Sequence, residues 1–473
     1  MTRGLRVIAV AACLAALGAG GVQARAPLQV GAVTPELLDP GLQDTTIALQ
    51  GAANLGDAAR VTLTWQRGQT ALDPGLLGDL RTGVDKASAE GIDVYLDVYP
   101  NGNSQTPLSS AAQAAFAKWT ASIVAGLPNI RHVIVGNESN LNLFWLPQFG
   151  SAGQDLAAPA YERLLARTYD AVKAASSRVE VVGGALAHSG TDRRGTGRDT
   201  HSPATFILDM GKAYRASGRT RPIMDAFAYH PYMERSDLPP TYRHHPQSKT
   251  LTIGDYGKLV SVLRRAFDGT KQKGSKLPLV YDEFGVESRI PSTERAEYTG
   301  TEARTTHPVT EATQARYYKQ AMQLAACQPT VRTLMVFRLI DSPFLSSWQS
   351  GVYYADRATP KSSRAAVAAA ARQARMTLPA DCSQLLAPKP IVDWKRKSIL
   401  CDADCSYEER YIRQPGGKVA ATIRGLGTAG VPDRLARPPH ILPGRYRILL
   451  RVTTISYRAN PFRATSPVVA IRR

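Results

Sequence analysis

Apolar runs of strand length alternate with longer amphipathic stretches along most of the chain. Eight runs rich in Val, Ile, Leu and Ala have the composition of buried strands, at residues 28–33, 60–65, 92–99, 132–138, 179–186, 224–230, 277–284 and 331–337. Helical periodicity predicts helices at residues 74–89, 111–126, 159–175, 203–215, 256–267, 310–326 and 361–375, with a weaker one at 45–54. The chain is therefore expected to fold as a series of β-α units.

The eight apolar runs indicate a sheet that is buried on both faces, because few polar residues alternate with the apolar ones. Eight β-α units fit a (β/α)8 barrel, and a doubly wound sheet is the alternative. We favour the barrel because polar and aromatic residues gather at the ends of many strands, where barrels place their active sites. These residues are Trp65, Tyr99, Asn137, Glu138, His188, His230, Tyr232 and Glu283.

The pattern changes after the last predicted helix. Prolines interrupt the chain, and residues 418–425 and 445–455 show the alternation of half-exposed strands. We expect an α/β fold with a TIM barrel over residues 27–378 and a small C-terminal β domain over residues 388–473. The β domain is predicted to be immunoglobulin-like or a partial sandwich.

The N-terminus has the layout of a secretory signal peptide. Two arginines precede an apolar segment at residues 7–22, and small residues follow it at the possible cleavage sites Val22-Gln23-Ala24 and Ala24-Arg25-Ala26. An uncleaved membrane anchor is the alternative, but the glycines of this segment make a poor spanning helix. Residues 1–26 are therefore predicted to be removed. We expect a secreted or extracellular protein, with association to the cell envelope as a further expectation.

Four cysteines remain outside the predicted signal peptide: Cys327, Cys382, Cys401 and Cys405. An oxidising compartment allows them to form two disulfides, and three pairings are possible. We favour Cys401 with Cys405, because they are close enough in sequence to close a local loop, and hence Cys327 with Cys382. A zinc site of four thiolates is the competing interpretation, but no histidine lies near Cys401 and Cys405. We expect no metal and no cofactor.

Charge is distributed unevenly in a chain of otherwise ordinary globular composition. The 473 residues are 44% hydrophobic and 21% charged, with a net charge of +19, which excludes a wholly disordered chain. Residues 388–473 hold 17 Lys and Arg against 6 Asp and Glu. On an exported protein such a region favours binding to anionic envelope polymers, and we expect no nucleic-acid partner. A solvated surface rich in arginine is the alternative.

Two of the predicted strands end in acidic residues. Asn137 and Glu138 follow the fourth apolar run, and Asp282 and Glu283 end the seventh. Carboxylates on the fourth and seventh strands of a barrel face each other across its mouth, which is the arrangement that cleaves a glycosidic bond with one acid and one nucleophile. Taken singly, the Asn-Glu pair could instead be a helix cap or part of a glycosylation sequon, and Asp282 or Glu287 could serve instead of Glu283.

These motifs resemble those of the clan A glycoside hydrolases, which are retaining enzymes with a (β/α)8 barrel. The sequence GNESN at residues 136–140 resembles the Gly-Asn-Glu-Pro-Asn of family 39-like members, with Ser139 in place of the proline. The sequence YDEFG at residues 281–285 is similar to the Glu-Phe-Gly that closes the seventh strand in family 5 and its neighbours. The resemblance implies a carbohydrate substrate, with Glu138 as general acid/base and Glu283 as nucleophile.

The resemblance also implies substrate-binding or orienting roles for Arg60, Trp65, Asn137, His230, Tyr232 and Trp348. Arg60 and Trp65 are spaced as in the family's second strand, where the guanidinium contacts the nucleophile and the indole lies near the sugar. His230-Pro231-Tyr232 is similar to the clan's His-x-Tyr, whose hydroxyl orients the nucleophile. Trp348 is similar to a sugar-stacking tryptophan. The alternatives are a structural ion pair for Arg60, a wall position for His230 and a core position for Trp65.

Together these features predict a secreted retaining glycoside hydrolase that cleaves O-glycosidic bonds of a poly- or oligosaccharide by double displacement. The alternative is a non-catalytic carbohydrate- or envelope-binding protein on a degenerate barrel, in which the basic β domain does the binding.

Overall fold

A closed parallel barrel forms the larger part of the structure. The computed structural model describes residues 27–53 and 55–472, so the predicted signal peptide at residues 1–26 lies outside the described residues. Eight strands are hydrogen-bonded in chain order, and the eighth pairs with the first. The strands are β1 (Gln29–Val33), β2 (Ala58–Trp65), β3 (Asp93–Pro100), β4 (His132–Val135), β5 (Glu180–Ala187), β6 (Ala226–His230), β7 (Leu279–Phe284) and β8 (Val331–Val336). The predicted TIM barrel is confirmed, and the doubly wound sheet is excluded.

Helices follow each strand and cover the outside of the barrel. They are α1 (Gln43–Ala53), α2 (Pro74–Ala89), α3 (Ser110–Gly126), α4 (Ala157–Ala175), α5 (Pro203–Ala216), α6 (Tyr256–Phe267), α7 (Glu311–Cys327), α8 (Arg364–Met376) and the short α9 (Cys382–Leu385). Short 3-10 helices lie at Pro35–Leu38, Asn103–Gln105, Ile253–Asp255 and Ser292–Glu297. Asp73, Ser109 and Ser202 cap helices by accepting from backbone N–H groups of the first turn.

Strand alternation divides the barrel side chains into two sets. On β2, Arg60 and Thr62 point into the barrel, where both contact Asp97 of β3. Val61 and Leu63 point outward and join the large apolar layer between strands and helices. The inner core is a small separate cluster of Ala58, Tyr95, Ile134, Val182, Ala185, Ala226, Ala228, Val280 and Met335. Small side chains in this cluster leave room in the barrel for the charged groups described below.

The C-terminal part is a small β domain of two antiparallel sheets. Its strands are β9 (Ile391–Asp393), β10 (Ser398–Leu400), β11 (Cys405–Gln414), β12 (Val419–Gly427), β13 (Pro432–Arg434), β14 (Gly444–Thr454), β15 (Phe462–Thr465) and β16 (Val469–Ile471). One sheet has the order β13-β10-β9, and the other has the order β12-β11-β14-β15, with β16 also paired to β14. Apolar residues from both sheets, including Ile399, Tyr407 and Leu450, form one cluster, so the domain is a partial sandwich. The exact domain boundaries, 27–378 and 388–473, stay predictions.

Both favoured disulfides are present. Cys327 at the end of α7 is bonded to Cys382 at the start of α9, across 55 positions of sequence. Cys401 is bonded to Cys405, across four positions. The first bond fastens the segment that leaves the barrel, and the second closes a small loop at the start of β11. Among the described residues, no helix combines the length and hydropathy that crossing a bilayer requires.

The small disulfide loop attaches the β domain to the barrel. The Asp404 carboxylate accepts hydrogen bonds from Ser261 and Arg264 of α6, each at 2.6 Å. Asp402 in the same loop pairs with Arg243 at 2.9 Å. Both aspartates are nearly buried, so these contacts are charge-assisted and partly shielded from water. The β domain is therefore fixed against the α6 side of the barrel.

The disulfides predict an unequal loss of stability when each is removed. The loop-entropy model gives about 4 kcal/mol for the long loop closed by Cys327 and Cys382, and about 2 kcal/mol for the short one closed by Cys401 and Cys405. Paired Cys→Ser variants should therefore differ by about 2 kcal/mol in guanidinium unfolding, with the larger loss for the first pair. Equal losses would contradict the view that the first disulfide acts mainly by closing a long loop.

Candidate active site

A buried guanidinium lies at the centre of the polar cluster inside the barrel. Arg60 is 2% exposed, and its Nη2 atom donates to Asp97 at 2.6 Å and to Asn137 at 3.1 Å. Its Nη1 atom donates to Glu283, and its Nε atom lies 3.6 Å from Asp282. The donors of a guanidinium lie in one rigid plane, so this side chain fixes residues from β3, from β7 and from the loop after β4 relative to one another.

The charges of this cluster are set by burial and by mutual attraction. Burial alone would lower the pKa of Arg60, but the charges of Asp97, Glu283 and Asp282 raise it well above its ordinary value. Burial raises the pKa of Asp97 to about 6, although the Arg60 charge opposes this shift. Burial also acts to raise the pKa of Asp282, but His230 and Arg60 outweigh it and the pKa is lowered. Arg60 and Asp282 are thus charged at neutral pH.

Glu283 ends β7 with both carboxylate oxygens held by donors. One oxygen accepts from Arg60, and the other accepts from the Tyr232 hydroxyl at 3.0 Å. The pairing of β7 with β8 shifts register between Tyr281 and Phe284, which allows neighbouring residues to reach the same cluster. Asp282 and Glu283 therefore both contact Arg60, and the Glu283 carboxylate has a fixed orientation.

Glu138 lies in a turn with unusual backbone geometry. Strand β4 ends at Val135, and Gly136 and Glu138 follow with φ of 93° and 41°. The Glu138 N–H donates to the Ala185 carbonyl at 2.7 Å, and Ala185 itself has a φ of 48°. Left-handed backbone costs a non-glycine residue about 1–2 kcal/mol, so the surrounding structure must impose it. The turn aims the Glu138 carboxylate at His230, whose Nδ1 lies 3.1 Å away.

His230 connects the two glutamates at the end of β6. Its ring is fully buried, with Nδ1 3.4 Å from Glu283 and Nε2 3.2 Å from Asp282. Burial alone would lower the pKa of His230, but the charges of Glu283 and Asp282 raise it well above its ordinary value. One carboxylate oxygen of Glu138, one of Glu283 and one ring nitrogen of His230 lie within 4.8 Å of one another. The two glutamates are thus close neighbours across an imidazolium.

The same three residues are the one group within the described residues whose donor atoms could hold a metal ion: Glu138, His230 and Glu283. A histidine must be neutral to bind a metal ion, whereas the neighbouring carboxylates favour the protonated form of His230. Arg60 also occupies one oxygen of Glu283. A protonated His230 and Arg60 thus supply two positive charges to the carboxylates of this group.

Aromatic side chains form a wall beside Glu283. The half-buried Trp348 ring lies 4.8 Å from the Tyr232 ring and 5.4 Å from that of Phe337, measured between centroids. The loop after β8 brings Trp348 back to the barrel mouth, although it is distant from the strand in sequence. On another part of the mouth, Tyr99 packs edge to face with Phe144 at 6.0 Å. Such rings offer flat apolar faces to a ligand.

The structure corrects the role predicted for Trp65. Its indole is fully buried, packs edge to face on Phe116 at 5.6 Å and donates to the Gln69 carbonyl at 2.9 Å. Trp65 and Arg60 are an odd number of positions apart on one strand, so their side chains lie on opposite faces of the sheet. Trp65 therefore belongs to the apolar layer outside the barrel, and it cannot contact a ligand that contacts Arg60.

Two polar residues near the site were not assigned a role from the sequence. Asp97 is fully buried on β3 and also accepts from Thr62 at 3.2 Å. A lone carboxylate within an apolar strand indicates a buried cation nearby, and this feature could have identified it. His188 follows β5, with its ring 6.4 Å from that of Tyr232, and burial lowers its pKa to about 4. At neutral pH, His188 is therefore uncharged, whereas His230 is protonated.

Comparisons with known proteins place the fold. No family model and no curated protein matches the chain. Among solved structures, a family 39 glycoside hydrolase from the gut symbiont Bacteroides cellulosilyticus WH2 is similar, with a TM-score of 0.52, 16% identity and coverage of 86% of this chain and 80% of that one. A GH5_18 protein from Streptomyces cattleya in complex with GlcNAc has a TM-score of 0.50, 17% identity and coverage of 75% and 82%. The predicted resemblance to clan A glycoside hydrolases is confirmed at the level of the fold.

The two histidines of the site predict opposite protonation states. His230 should remain an imidazolium at pH 7.5, whereas His188 should remain neutral down to about pH 4. Imidazole ¹⁵N chemical shifts measured against pH, and assigned with His230→Gln and His188→Gln variants, check both states. A His230 that loses its proton at or below the ordinary histidine range would contradict the charge balance described here.

Proposed function

We propose that this chain is a retaining glycoside hydrolase that cleaves O-glycosidic bonds of a poly- or oligosaccharide by double displacement. The observation that supports this most is the close approach of Glu138 and Glu283, which have carboxylate oxygens within 4.8 Å of each other. Retaining enzymes hold their two carboxyl groups ~5–5.5 Å apart and inverting enzymes hold them ~6.5–9.5 Å apart, and the approach of the nearest oxygens favours the shorter separation. The names of the structures with similar folds point to the same class of reaction.

In the first step, Glu283 attacks the anomeric carbon while the bond from that carbon to the leaving oxygen breaks. The protonated Glu138 gives its proton to the leaving oxygen. Arg60 holds one oxygen of Glu283 and Tyr232 holds the other, so the carboxylate is correctly oriented before the substrate arrives. The product of this step is a covalent ester between the sugar and Glu283.

In the second step, the Glu138 carboxylate removes a proton from water, and the resulting oxygen attacks the anomeric carbon and releases Glu283. His230, with Nδ1 3.1 Å from Glu138, holds the Glu138 carboxyl group in place in both steps. A second inversion at the anomeric carbon restores the original configuration. A sugar hydroxyl in place of water would give transglycosylation with the same residues.

The substrate is proposed to lie against the aromatic wall. Trp348 and Tyr232 form a surface next to the nucleophile on which a sugar ring can stack, since the apolar faces of sugars favour aromatic partners. Asn137 accepts at 3.1 Å from the same guanidinium that holds the nucleophile. These residues would position the sugar, while Glu138 and Glu283 perform the chemistry.

We also propose that the protein is exported and that its basic C-terminal region associates with anionic envelope polymers. Disulfides are typical of secreted proteins, and the described residues form two of them.

The alternative function, a non-catalytic carbohydrate- or envelope-binding protein, does not require the costly burial of paired charges that this site shows. Turnover of any member of a panel of aryl glycosides would distinguish the two.

Removing the nucleophile should abolish turnover in a way that azide reverses. We expect Glu283→Ala to lower kcat on activated aryl glycosides by at least about 10⁴-fold. Added azide should restore product formation with inverted configuration, because the small anion occupies the vacated space and attacks once. Product configuration is read by ¹H NMR.

Glu287 provides the matched control for this experiment. Its side chain is slightly more buried than that of Glu283, but its carboxylate accepts from the Gln349 backbone at 3.3 Å in the loop after β7. Glu287→Gln should keep near-normal activity and show no dependence on azide. Normal activity in Glu283→Ala, or azide rescue of Glu287→Gln alone, would refute the assignment of Glu283.

Removing the acid/base residue should have an effect that depends on the leaving group. For Glu138→Ala we expect a loss of roughly 10²–10⁴-fold in kcat/KM with poor leaving groups and a much smaller loss with good ones, because only poor ones need the proton. The glycosyl-enzyme should accumulate and give a burst in stopped-flow assays with activated substrates. A uniform loss across a series of leaving groups would argue against this role.

A further inference from the structure

The C-terminal β domain contains a cavity that the proposed reaction does not use. Its volume is about 480 Å³, which is within the range of small-molecule sites. Trp394, Leu435, Ile448, Val469 and Ile471 supply most of its apolar lining. Trp394 and Leu435 directly follow β9 and β13 of one sheet, whereas Ile448, Val469 and Ile471 lie on β14 and β16 of the other, so the cavity lies between the two sheets.

The cavity wall offers few groups that could hydrogen-bond a polar ligand. Tyr411 lines the cavity, but its hydroxyl already donates to the Ala436 carbonyl at 2.9 Å and lies 3.2 Å from Glu409. Apart from the indole N–H of Trp394, the neutral lining side chains are aliphatic or already bonded in the described part of the chain. A sugar ring that lay against this neutral part of the wall would lose hydrogen bonds to water without replacement, which is unfavourable.

Three cations line the same cavity. Lys397, Arg437 and Arg472 are exposed, and none of them forms an ion pair with a carboxylate of the described residues. The Arg437 guanidinium donates to the backbone carbonyl of Arg472 at 2.7 Å, which fixes Arg437 beside β16. Three of the six carboxylates of the domain pair with other cations: Asp402 with Arg243, Asp404 with Arg264, and Glu408 with Arg410 and Arg424. The cavity thus combines an apolar interior with a positive edge.

We propose that this cavity binds a single-chain anionic amphiphile, with the acyl chain against the apolar wall and a carboxylate or phosphate head group at Lys397, Arg437 and Arg472. The two parts of the site match the two parts of such a molecule. Apolar burial would supply most of the affinity, since each buried methylene tightens binding about fourfold. The cations would select the charge of the head group. This site is independent of the reaction proposed for the barrel.

Isothermal titration of the full-length protein with dodecanoate, below its micelle concentration, tests this proposal. We expect one saturable site per chain, with octanoate weaker by roughly 10²-fold because four methylenes are missing. Uncharged dodecyl maltoside should bind more weakly than dodecanoate. Equal affinity for dodecanoate and dodecyl maltoside, or the absence of saturable dodecanoate binding, would overturn the proposal.

Variants locate the binding to the cavity. Val469→Phe should fill part of the space and weaken dodecanoate at least tenfold, and Arg437→Gln should weaken it roughly twofold to fivefold. Arg463→Gln removes an equal charge from an exposed position on β15 outside the cavity and should bind like the wild type. Unchanged thermal unfolding and unchanged turnover of aryl glycosides would show that the variants remain folded and that the barrel is not involved.

Two further results would contradict the assignment. The first is that vesicles of anionic lipid and dodecanoate each bind the wild type and Val469→Phe with equal affinity. The attraction between the protein and these anions would then be due to surface charge alone. If oligomers of an acidic sugar displace dodecanoate and bind more tightly, the cavity is a saccharide site instead. Either result would refute the proposal that the cavity binds an acyl chain. This conclusion does not depend on the outcome of the experiments on Glu138 and Glu283.

Discussion

The buried guanidinium of Arg60 is the constraint on which the site depends. A cation without water must be surrounded by carboxylates and hydrogen-bond acceptors, and Arg60 obtains them from Asp97, Asp282 and Glu283. The reverse also holds, since these carboxylates would repel one another without the cation. His230 supplies a second positive charge between Glu283 and Glu138. The catalytic geometry proposed here is therefore a consequence of charge compensation inside the barrel.

Much of this structure follows from patterns that short stretches of sequence contain. The eight predicted strands and the helices between them agree with the structure within a few residues, because buried strands and amphipathic helices differ in period and length. Trp65 shows the limit of comparing motifs by spacing alone. Trp65 and Arg60 are an odd number of positions apart on β2, so their side chains lie on opposite faces of the sheet, whatever motif they match. The contact of Asp97 with Arg60 depends on the register between β2 and β3, which local sequence does not specify. The cavity beside Trp394 likewise depends on how two sheets meet.

The small β domain differs from the barrel in how it uses charge. The barrel buries the ion pairs of Arg60, whereas the β domain directs two of its aspartates toward the barrel and leaves most of its arginines exposed. Its outer surface is consequently more basic than its composition indicates. Such a surface would attract anionic material over long distances. The cavity of the β domain would contact an apolar ligand only at short range. Attachment and chemistry would then belong to separate parts of one chain.

The most direct test of the account is to trap the covalent intermediate. A panel of 2-deoxy-2-fluoro glycosides with good leaving groups forms long-lived esters with the nucleophile of a retaining enzyme, and peptide mass spectrometry locates the label. The charge arrangement around Arg60 predicts a single label on Glu283, and no label after Glu283→Ala. A label on Asp282 or Glu287, or turnover with inverted configuration and no trapped ester, would contradict the proposed mechanism.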